Sequence, residues 1–412
     1  MGCSPTAKLD AASWTKAKMY LSSFIHRDHL FDIAERWLLG RLETDDGLRV
    51  TQILICDGFV LGQTLEVILK FLLELMHGGV FKQKRIQFKG QLRDAICTSP
   101  LDGNARIYEL INLYNTNPEF FYREAPINGS IYINGENRLL GLYRIKRPRR
   151  IAEKANRYVA NWIFHLVQNQ AEEMARERAR NLNVPLEELI TPKNLMDTEF
   201  VMAEKDIAKM FRDKDIRLDK SALQIHDVGG IKLIANTENL SLLERELSDQ
   251  PNISVNDKES FSGDYQATSL IIEVAWDADF VCRRYMDLRA WRKYLNRGLS
   301  ETELKNGLEP LLDGSQPTLK LELILSTFPD MVESELGNSL HEERIVAQRD
   351  NKLYRGYIPM NVEFLIEYLL AVGISPHTNI ERLPIKIWGR YLPDTVIDHI
   401  RALHGMPDVE LF

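Results

Sequence analysis

The chain has 412 residues, of which 44% are hydrophobic and 27% are charged, and its formal net charge is −7. This composition excludes an intrinsically disordered chain, and the acidic balance argues against general binding to duplex nucleic acid. The length predicts two or three domains.

The cysteines and the apolar segments indicate the cellular compartment. The chain contains four widely spaced cysteines: Cys3, Cys56, Cys97 and Cys282. They form no C-x-x-C pair, which is typical of reduced intracellular thiols and argues against a disulfide framework or a zinc site. The most apolar segment, Val67–Met76, is interrupted by Lys70 and Glu74, so it predicts a buried helix with a polar stripe. We therefore expect a cytoplasmic protein without a secretory signal or a transmembrane segment.

The first six residues, Met-Gly-Cys-Ser-Pro-Thr, fit the pattern for N-terminal acylation. Gly2 would accept a myristoyl group, and Cys3 would accept a palmitoyl group. The pattern is short, and it has meaning only where a eukaryotic acyltransferase acts on the chain. We favour the alternative, which is a disordered start without a lipid.

The region up to residue 138 is expected to be mainly helical. Trp14–Leu42 carries a helical apolar pattern, and Gln52–Cys56 is consistent with a short strand. Asn-Gly pairs at 128–129 and 134–135 predict turns on either side of a strand, Ser130–Ile133. His26 and His29 lie three residues apart, which permits a metal on one helix face. Neither belongs to an H-E-x-x-H motif, so we favour solvent-exposed histidines.

Residues 144 to 157 form a basic cluster, in which seven of the fourteen side chains are Lys or Arg. Pro148 favours an extended segment before it and a helix start after it. Arg144 and Lys146 then share a face of the extended segment, while Arg150 and Lys154 share a face of the helix. This arrangement can surround a triphosphate. The plainer alternative is a solvated helix start.

Two carboxylates follow on predicted strands. Asp227 lies at a Gly-Gly bend between short apolar runs. In Thr318–Thr327 the leucines alternate with polar residues, so Glu322 is directed away from the leucine face. A further strand is expected over Gln266–Val274. Magnesium takes one or two carboxylates together with phosphate oxygens and water, so the carboxylates and the basic cluster predict a Mg²⁺-nucleotide site.

These motifs, in this order, resemble the RelA/SpoT nucleotidyltransferase domain of alarmone (ppGpp) synthetases. The resemblance extends over about residues 140 to 350. The matching segments and the family patterns are 144–154 with R-x-K-x-x-x-S-I-x-x-K, 227–232 with D-x-x-G-x-R, 264–269 with G-Y-Q-S-x-H, 321–327 with V-E-x-Q-x-R-T, and 335–341 with E-x-x-x-x-x-H.

The resemblance implies roles for individual residues. The phosphates of ATP would be bound by Arg144, Lys146, Arg150 and Lys154. Asp227 and Glu322 would be the catalytic residues and would hold Mg²⁺, with Glu322 activating the acceptor hydroxyl. The acceptor would be bound by Tyr265, Lys232, Lys258, Ser269, Glu335 and His341.

The acceptor side departs from the family pattern. Ser269 stands at the histidine position and Lys232 at the arginine position, while Ile324 and Ser326 follow the glutamate. The acceptor is GDP or GTP, or alternatively another nucleotide or a tRNA 3′ end. A catalytically degenerate domain that binds nucleotide or RNA as a regulator is the competing hypothesis.

The resemblance implies an α+β fold, with a mixed-sheet nucleotidyltransferase core and helical additions at both ends. We expect a helical N-terminal region over 1–138 and a synthetase domain over 139–350, with helical insertions near 155–220 and 280–315. A helical C-terminal region over 351–412 would dock on the core or bind a partner. The expected activity is transfer of the β,γ-pyrophosphate of ATP to a ribose hydroxyl, and the oligomeric state is left open.

Overall fold

A mixed β-sheet of seven strands forms the centre of the protein, with the spatial order β1-β2-β3-β4-β7-β6-β5. The computed structural model describes residues 21–100, 104–213, 225–263, 265–337, 343 and 357–406. In chain order the strands are Phe81–Phe88 (β1), Pro126–Asn134 (β2), Leu139–Ile145 (β3), Gly229–Ile234 (β4), Ile253–Ser262 (β5), Gln266–Ala275 (β6) and Thr318–Ser326 (β7). Among them β4 and β7 pair in parallel, and the other neighbours pair antiparallel.

Helices surround the sheet. Their bounds are Arg27–Leu38 (α1), Asp46–His77 (α2), Lys89–Cys97 (α3), Ala105–Thr116 (α4), Pro148–Leu182 (α5), Lys193–Asp213 (α6), Thr237–Ser248 (α7), Ala278–Asp287 (α8), Glu301–Lys305 (α9), Phe328–Leu336 (α10), Tyr357–Val372 (α11) and Pro393–Leu403 (α12). None of these described helices is both long enough and apolar enough to cross a bilayer. The mixed sheet and the many helices confirm the predicted α+β class.

One side of the sheet, which we call the core face, packs against α2. The leucines of β7 alternate toward this face and are buried in one cluster with Leu61 and Leu65 of α2. Gly229 at the start of β4 permits the close approach, because a Cβ built there would lie 2.7 Å from Leu61 Cδ1. Most of α2 is apolar on several sides, which places this 32-residue helix in the interior.

The opposite side, which we call the site face, is covered by α3, α4 and α10 over β1 to β4. Ile86, Leu142 and Ile234 of these strands are buried against the three helices. Further along the sheet, Glu322 and Ile324 of β7 remain partly exposed on this face. The polar side chains of the candidate site therefore lie at the border between covered and open sheet.

The C-terminal helix α11 docks on the long helix α5. Arg149 Nη2 lies 2.6 Å from Glu363 Oε1, and the same guanidinium pairs with Glu367. Asn156 Nδ2 donates to Glu363 Oε2 at 2.9 Å inside this interface. Of the two possibilities that the sequence left open for the C-terminal region, docking on the rest of the chain is the one observed.

Two expectations about local structure differ from the structure. The predicted strand Gln52–Cys56 is wrong, because these residues lie within α2, whose apolar side chains find partners on several sides. The predicted turn at 128–129 is wrong, because both residues lie inside β2. Gly129 instead permits the approach of β3, since a Cβ built there would lie 2.1 Å from Tyr143 O. The domain boundary expected at 138/139 lies in the turn between β2 and β3 and stays a prediction.

His26 is buried, whereas the sequence favoured an exposed histidine. Its Nδ1 lies 2.5 Å from Asp57 Oδ1, and its backbone N–H donates to Asp57 Oδ2 at 2.8 Å. Cys56 adds a third donor, so that three atoms of metal-binding type lie within 4.8 Å of one another. Both oxygens of Asp57 are used to hold the start of α1, which is a structural role.

Three further expectations concern residues outside the described ranges. These are the acylation pattern at Gly2 and Cys3, the first part of the helix predicted over Trp14–Leu42, and the acceptor role of His341.

Candidate functional site

Two predicted site residues lie in one row across three adjacent strands of the site face. Arg144 of β3 pairs with Gly230 of β4, and Gly230 pairs with Glu322 of β7. Because Gly230 has no side chain, the space between Arg144 and Glu322 is open, and a Cβ built there would lie 3.5 Å from Glu322 Oε2. Lys232 lies in the next row, and it lines one cleft together with Arg144, Glu322 and Glu335.

Asp227 lies directly before β4, where two lysines contact its carboxylate. Lys146 Nζ lies 2.6 Å from Asp227 Oδ2 and donates to the backbone oxygen of Asp227 at 2.5 Å. Lys154 of α5 forms a second ion pair with the same Oδ2. Burial by itself would raise the pKa of Asp227, but the two ammonium groups hold that pKa well below its usual range. Asp227 is therefore charged at neutral pH.

Lys146 lies within electrostatic reach of both predicted metal-binding carboxylates. Burial lowers the pKa of the Lys146 ammonium to about 8, while the charges of Asp227 and Glu322 act in the opposite direction. A charge acts in this way only when it is close, because solvent screens distant ones. The structure thus brings Lys146 and Lys154 of the basic cluster to Asp227, and the charge of Glu322 acts on Lys146.

One oxygen of Asp227 is left for a further group. Oδ2 is shared by Lys146 and Lys154, whereas Oδ1 is buried and has no hydrogen-bond partner among the residues that the structure describes. Buried polar atoms in proteins are normally paired, so an unpaired one calls for an explanation such as a bound ion. Mg²⁺ binds oxygen ligands and usually combines one or two carboxylates with phosphate oxygens and water. Two carboxylates beside phosphate-binding cations match this preference. The residues present therefore fit a magnesium ion that arrives with a nucleotide.

Arg150 is engaged within its own helix. Its guanidinium pairs with Glu153, a carboxylate that is only 8% exposed and that also lies 3.5 Å from Arg149 Nε. Of the four predicted phosphate-binding residues, Lys146 and Lys154 meet at Asp227 and Arg144 lies in the strand row. The contact of Arg150 with Glu153 uses Nη1.

Glu335 lies behind the row in a buried cluster of charges. Its Oε2 is 3.1 Å from Lys89 Nζ and 3.5 Å from Arg93 Nη2, both on α3. Arg93 Nε also donates to the backbone oxygen of Glu335 at 3.0 Å. Burial alone would raise the pKa of Glu335, but Lys89 and Arg93, followed by Lys232 and Arg144, hold that pKa well below its usual range. This carboxylate fixes α10 to α3 beside the cleft.

Ser269 and Lys232 lie on the same face as Glu322. Ser269 Oγ donates to Glu322 Oε1 at 3.4 Å, so the residue at the family's histidine position contacts this carboxylate. Lys232 Nζ donates to Ser334 Oγ at 3.1 Å. A serine hydroxyl offers a hydrogen bond but carries no charge near neutral pH.

Tyr265 lies at the far end of β6 from the row. Tyr265 lies six residues before Ile271, which is the strand partner of Glu322. Six residues extend over roughly 20 Å along a strand. The neighbouring N–H of Gln266 donates to Asp330 Oδ1 at 2.7 Å, at the start of α10. The structure does not bring Tyr265 next to Glu322.

Lys258 lies on the other side of the sheet from Glu322. It pairs in register with Leu270, whose side chain is fully buried on the core face. Its ammonium forms an ion pair with Glu244 of α7. Lys258 is therefore not part of the cleft, although the sequence assigned it to the acceptor.

Lys89 and Arg93 were not predicted from the sequence. Their spacing of four residues places them on one face of α3, so a helix predicted over this segment would have paired them. Their buried partner Glu335 lies 246 positions away from Lys89. That distance along the chain hides the cluster from local patterns.

The N-terminal segment before α1 also takes part without having been predicted. Ser22 Oγ lies 2.7 Å from His226 Nδ1, and Ser23 Oγ donates to the backbone oxygen of Lys320 at 2.7 Å. These contacts hold the bend that carries Asp227 against β7. Nothing in the local sequence marks them, since Ser22 and His226 are 204 positions apart.

The likeness of this protein to known proteins is structural and weak. No protein-family model matches the sequence, and no curated protein matches it. Among solved structures, the small alarmone synthetase 1 from Bacillus subtilis aligns with a TM-score of 0.20 and 10% sequence identity. The alignment covers 40% of this chain and 66% of that synthetase. A likeness of this size establishes neither a shared fold nor a shared function.

Proposed function

We propose that this protein is a nucleotide pyrophosphokinase, which transfers the β,γ-pyrophosphate of ATP to a ribose hydroxyl of a nucleotide acceptor. One observation carries the proposal. Asp227 is a buried, charged carboxylate that Lys146 and Lys154 hold by one oxygen, while its other oxygen has no hydrogen-bond partner within the described part of the chain. Phosphoryl-transfer sites work mainly by positioning and by neutralising phosphate charge, and they need this combination of cations and metal-binding carboxylates.

The donor side would bind the triphosphate by exchanging partners. Arg144, Lys146 and Lys154 supply three positive charges, against the two negative charges of Asp227 and Glu322. The strongly negative triphosphate would draw the lysine ammonium groups from Asp227 onto its own oxygens, where charge-assisted hydrogen bonds form. Asp227 and Glu322 would hold Mg²⁺, which neutralises negative charge on the phosphoryl oxygens when it is bound.

The acceptor side would use Glu322 to take the proton of the attacking hydroxyl. Glu322 projects over Gly230, where the row is open, and Ser269 holds one of its oxygens. Lys232 in the next row would bind an anionic group of the acceptor. We favour GDP or GTP as the acceptor, with another nucleotide or a tRNA 3′ end as alternatives. Tyr265 would stack on the acceptor only if the acceptor extends along β6 toward the turn.

Incubation with γ-labelled ATP tests the proposal directly. The purified chain is incubated with GDP, GTP, the other nucleoside di- and triphosphates, or deacylated tRNA, in the presence of Mg²⁺. A labelled product in which two phosphates have moved together is the expected result. Release of labelled monophosphate alone, or no product with any acceptor, would exclude the pyrophosphokinase reaction.

A second candidate is a regulator that binds nucleotide or RNA without catalysis. The observations that favour it are the pairing of Arg150 with Glu153 and the presence of Ser269 where the family has a histidine. This candidate predicts measurable affinity for ATP or RNA, together with no product in the labelling experiment.

We expect Mg²⁺ to bind together with ATP and not before it. Without a nucleotide, Asp227 and Glu322 are outnumbered by the charges of Arg144, Lys146 and Lys154, so a bare divalent cation is repelled. Mg²⁺ alone should leave the melting temperature unchanged. ATP with Mg²⁺ at about 100 times its Kd should stabilise the protein by about 2.7 kcal/mol.

Differential scanning fluorimetry with Mg²⁺, ATP and EDTA, separately and combined, measures this coupling. Asp227→Asn serves as the control, because it removes the proposed ligand and should abolish the gain that Mg²⁺ adds to ATP. A full increase in melting temperature with Mg²⁺ alone would contradict the proposed order of binding.

Lys146→Ala should weaken ATP binding more than any loss of an exposed lysine. It removes a charge-assisted hydrogen bond, and such a bond contributes about 1.5–3 kcal/mol. The Kd for ATP, measured by isothermal titration calorimetry, should therefore rise roughly 10- to 150-fold. Lys258→Ala is the matched control and should leave this Kd unchanged, since Lys258 lies on the core face. Equal effects of the two substitutions would show that the donor side is placed incorrectly.

A further inference from the structure

The sheet ends in two exposed outer strands. β1 and β5 lie at opposite ends of the strand order, and no other described strand pairs with their outer edges. From Lys82 to Arg85 every side chain of β1 is exposed, and so is every side chain of β5 after Ile253. Unpaired edges of this length can accept another strand, and proteins usually blunt them with charged side chains.

The charges on the two edges are of opposite sign. β1 presents Lys82 and Lys84, and β5 presents Asp257 and Glu259. None of these four side chains forms an ion pair with a described residue; Asp257 Oδ1 only accepts the backbone N–H of Lys258 at 2.9 Å. The spacing of two residues is the same on both edges, so opposite charges can face each other in pairs.

All four charged side chains lie on the same face of the sheet. Lys82 and Lys84 lie four and two residues before Ile86, so they share its face of β1, and Ile86 is buried under α3 on the site face. Asp257 pairs with Ile271, which in turn pairs with Glu322 on the site face, and Glu259 lies two residues further on. Opposed side chains in neighbouring strands share a face, so a shared face is required if these charges are to meet.

The strand directions permit the edges to join. Between β1 and β5 the order of pairings contains five antiparallel steps and one parallel step, so β1 and β5 run in opposite directions. A second copy that continues the sheet therefore sets its β1 antiparallel to β5 of the first, with both site faces on the same side. In the antiparallel register that sets Lys84 opposite Asp257, Lys82 lies opposite Glu259.

We propose that copies of this chain associate edge to edge, with β1 of one copy added to β5 of the next. Pairing of β5 with a second β5 would set Asp257 and Glu259 against acids, and pairing of two β1 strands would set lysines against lysines. Both symmetric arrangements are disfavoured by like-charge repulsion. A contact between two different edges is heterologous, so it produces a ring or an open chain, depending on the rotation between copies.

Charge exchange on the two edges tests this proposal, with the mass of the full chain measured by light scattering and sedimentation over a wide concentration range. The wild-type chain should associate beyond its monomer mass of 47.6 kDa as concentration rises. Lys82→Glu with Lys84→Glu should give monomers, and so should Asp257→Lys with Glu259→Lys. An equimolar mixture of the two double variants should associate again, because each edge then meets its opposite charge.

A matched control changes the same number of charges elsewhere. Lys205→Glu with Lys209→Glu alters two exposed lysines of α6 and should associate like the wild type. Recovery in the mixture also shows that each double variant is folded. A wild-type chain that remains monomeric at every concentration overturns the proposal. So does association that survives Lys82→Glu with Lys84→Glu, or a mixture of the double variants that stays monomeric.

Discussion

Glu322→Gln is expected to lower the kcat for pyrophosphate transfer by at least 100-fold, with much less change in the affinity for ATP. A positioned general base typically contributes 100- to 10,000-fold, and glutamine keeps the shape of the side chain but accepts no proton. The fold should remain intact, because Glu322 is directed away from the buried leucines of β7. A polar substitution of this kind usually changes stability by no more than about 0.5 kcal/mol.

The matched control for this substitution is Glu273→Gln. Glu273 of β6 lies on the same face of the sheet as Glu322 and pairs in register with Lys320 of β7. Its carboxylate accepts hydrogen bonds from Thr318 and Asn256. It is an acid of the same sheet that lies outside the row, so kcat should stay within a few-fold of the wild-type value. Single-turnover experiments with labelled ATP separate the chemical step from binding. Near-normal turnover of Glu322→Gln would exclude this carboxylate as the base.

Glu335→Gln is expected to reduce the free energy of unfolding by about 3–5 kcal/mol, which is the usual cost of removing one partner from a buried ion pair. Lys89 is 5% exposed and Arg93 is fully buried, so neither can recover its lost partner from water. The comparison is Glu333→Gln on the same helix. Glu333 pairs with Arg106, a side chain that is 39% exposed, so its loss should cost less than about 1 kcal/mol.

The pH dependence of this difference has a definite sign. The pKa of Glu335 is lowered in the folded protein, despite burial, by Lys89 and Arg93. Its contribution to stability is therefore fully present above the unfolded pKa of about 4.3, and it is lost as pH falls below that value. Urea unfolding should thus show a large difference between wild type and Glu335→Gln at pH 7 and a smaller one near pH 3. A cost no larger than that of Glu333→Gln would mean that the buried cations are compensated in another way.

Lys146 and Lys154 hold Asp227 in the free protein, so each has a structural role in addition to its proposed role toward phosphate. Arg150 has no such contact with Asp227, and its partner is Glu153. Comparing ATP affinity after the loss of Lys154 and after the loss of Arg150 therefore indicates whether the nucleotide draws Arg150 away from its helix.

The sequence by itself determined that Glu322 lies on a strand and which way its side chain faces. Strict alternation of leucines over residues 319–325 left one orientation for Glu322, because burying the polar residues instead would have cost far more. Pro148 likewise marked the start of α5, since proline is well suited to the first turn of a helix and disrupts its interior. These are local effects, and local patterns were enough to predict them.

Only the tertiary structure decided how distant segments meet. Residues 52–56 became helical because α2 is surrounded by apolar partners, a circumstance in which a short apolar run does not distinguish a helix from a strand. Tyr265 and Lys258 lie outside the cleft. Strand pairing sets the position of a residue along the sheet and the face on which its side chain lies, and a local pattern does not reveal that pairing. Lys89 and Arg93 contact Glu335, and Ser22 contacts His226. The residues in each of these contacts are more than 200 positions apart in the chain. Such contacts depend on the packing of the whole chain, and a single sequence contains no local pattern that records them.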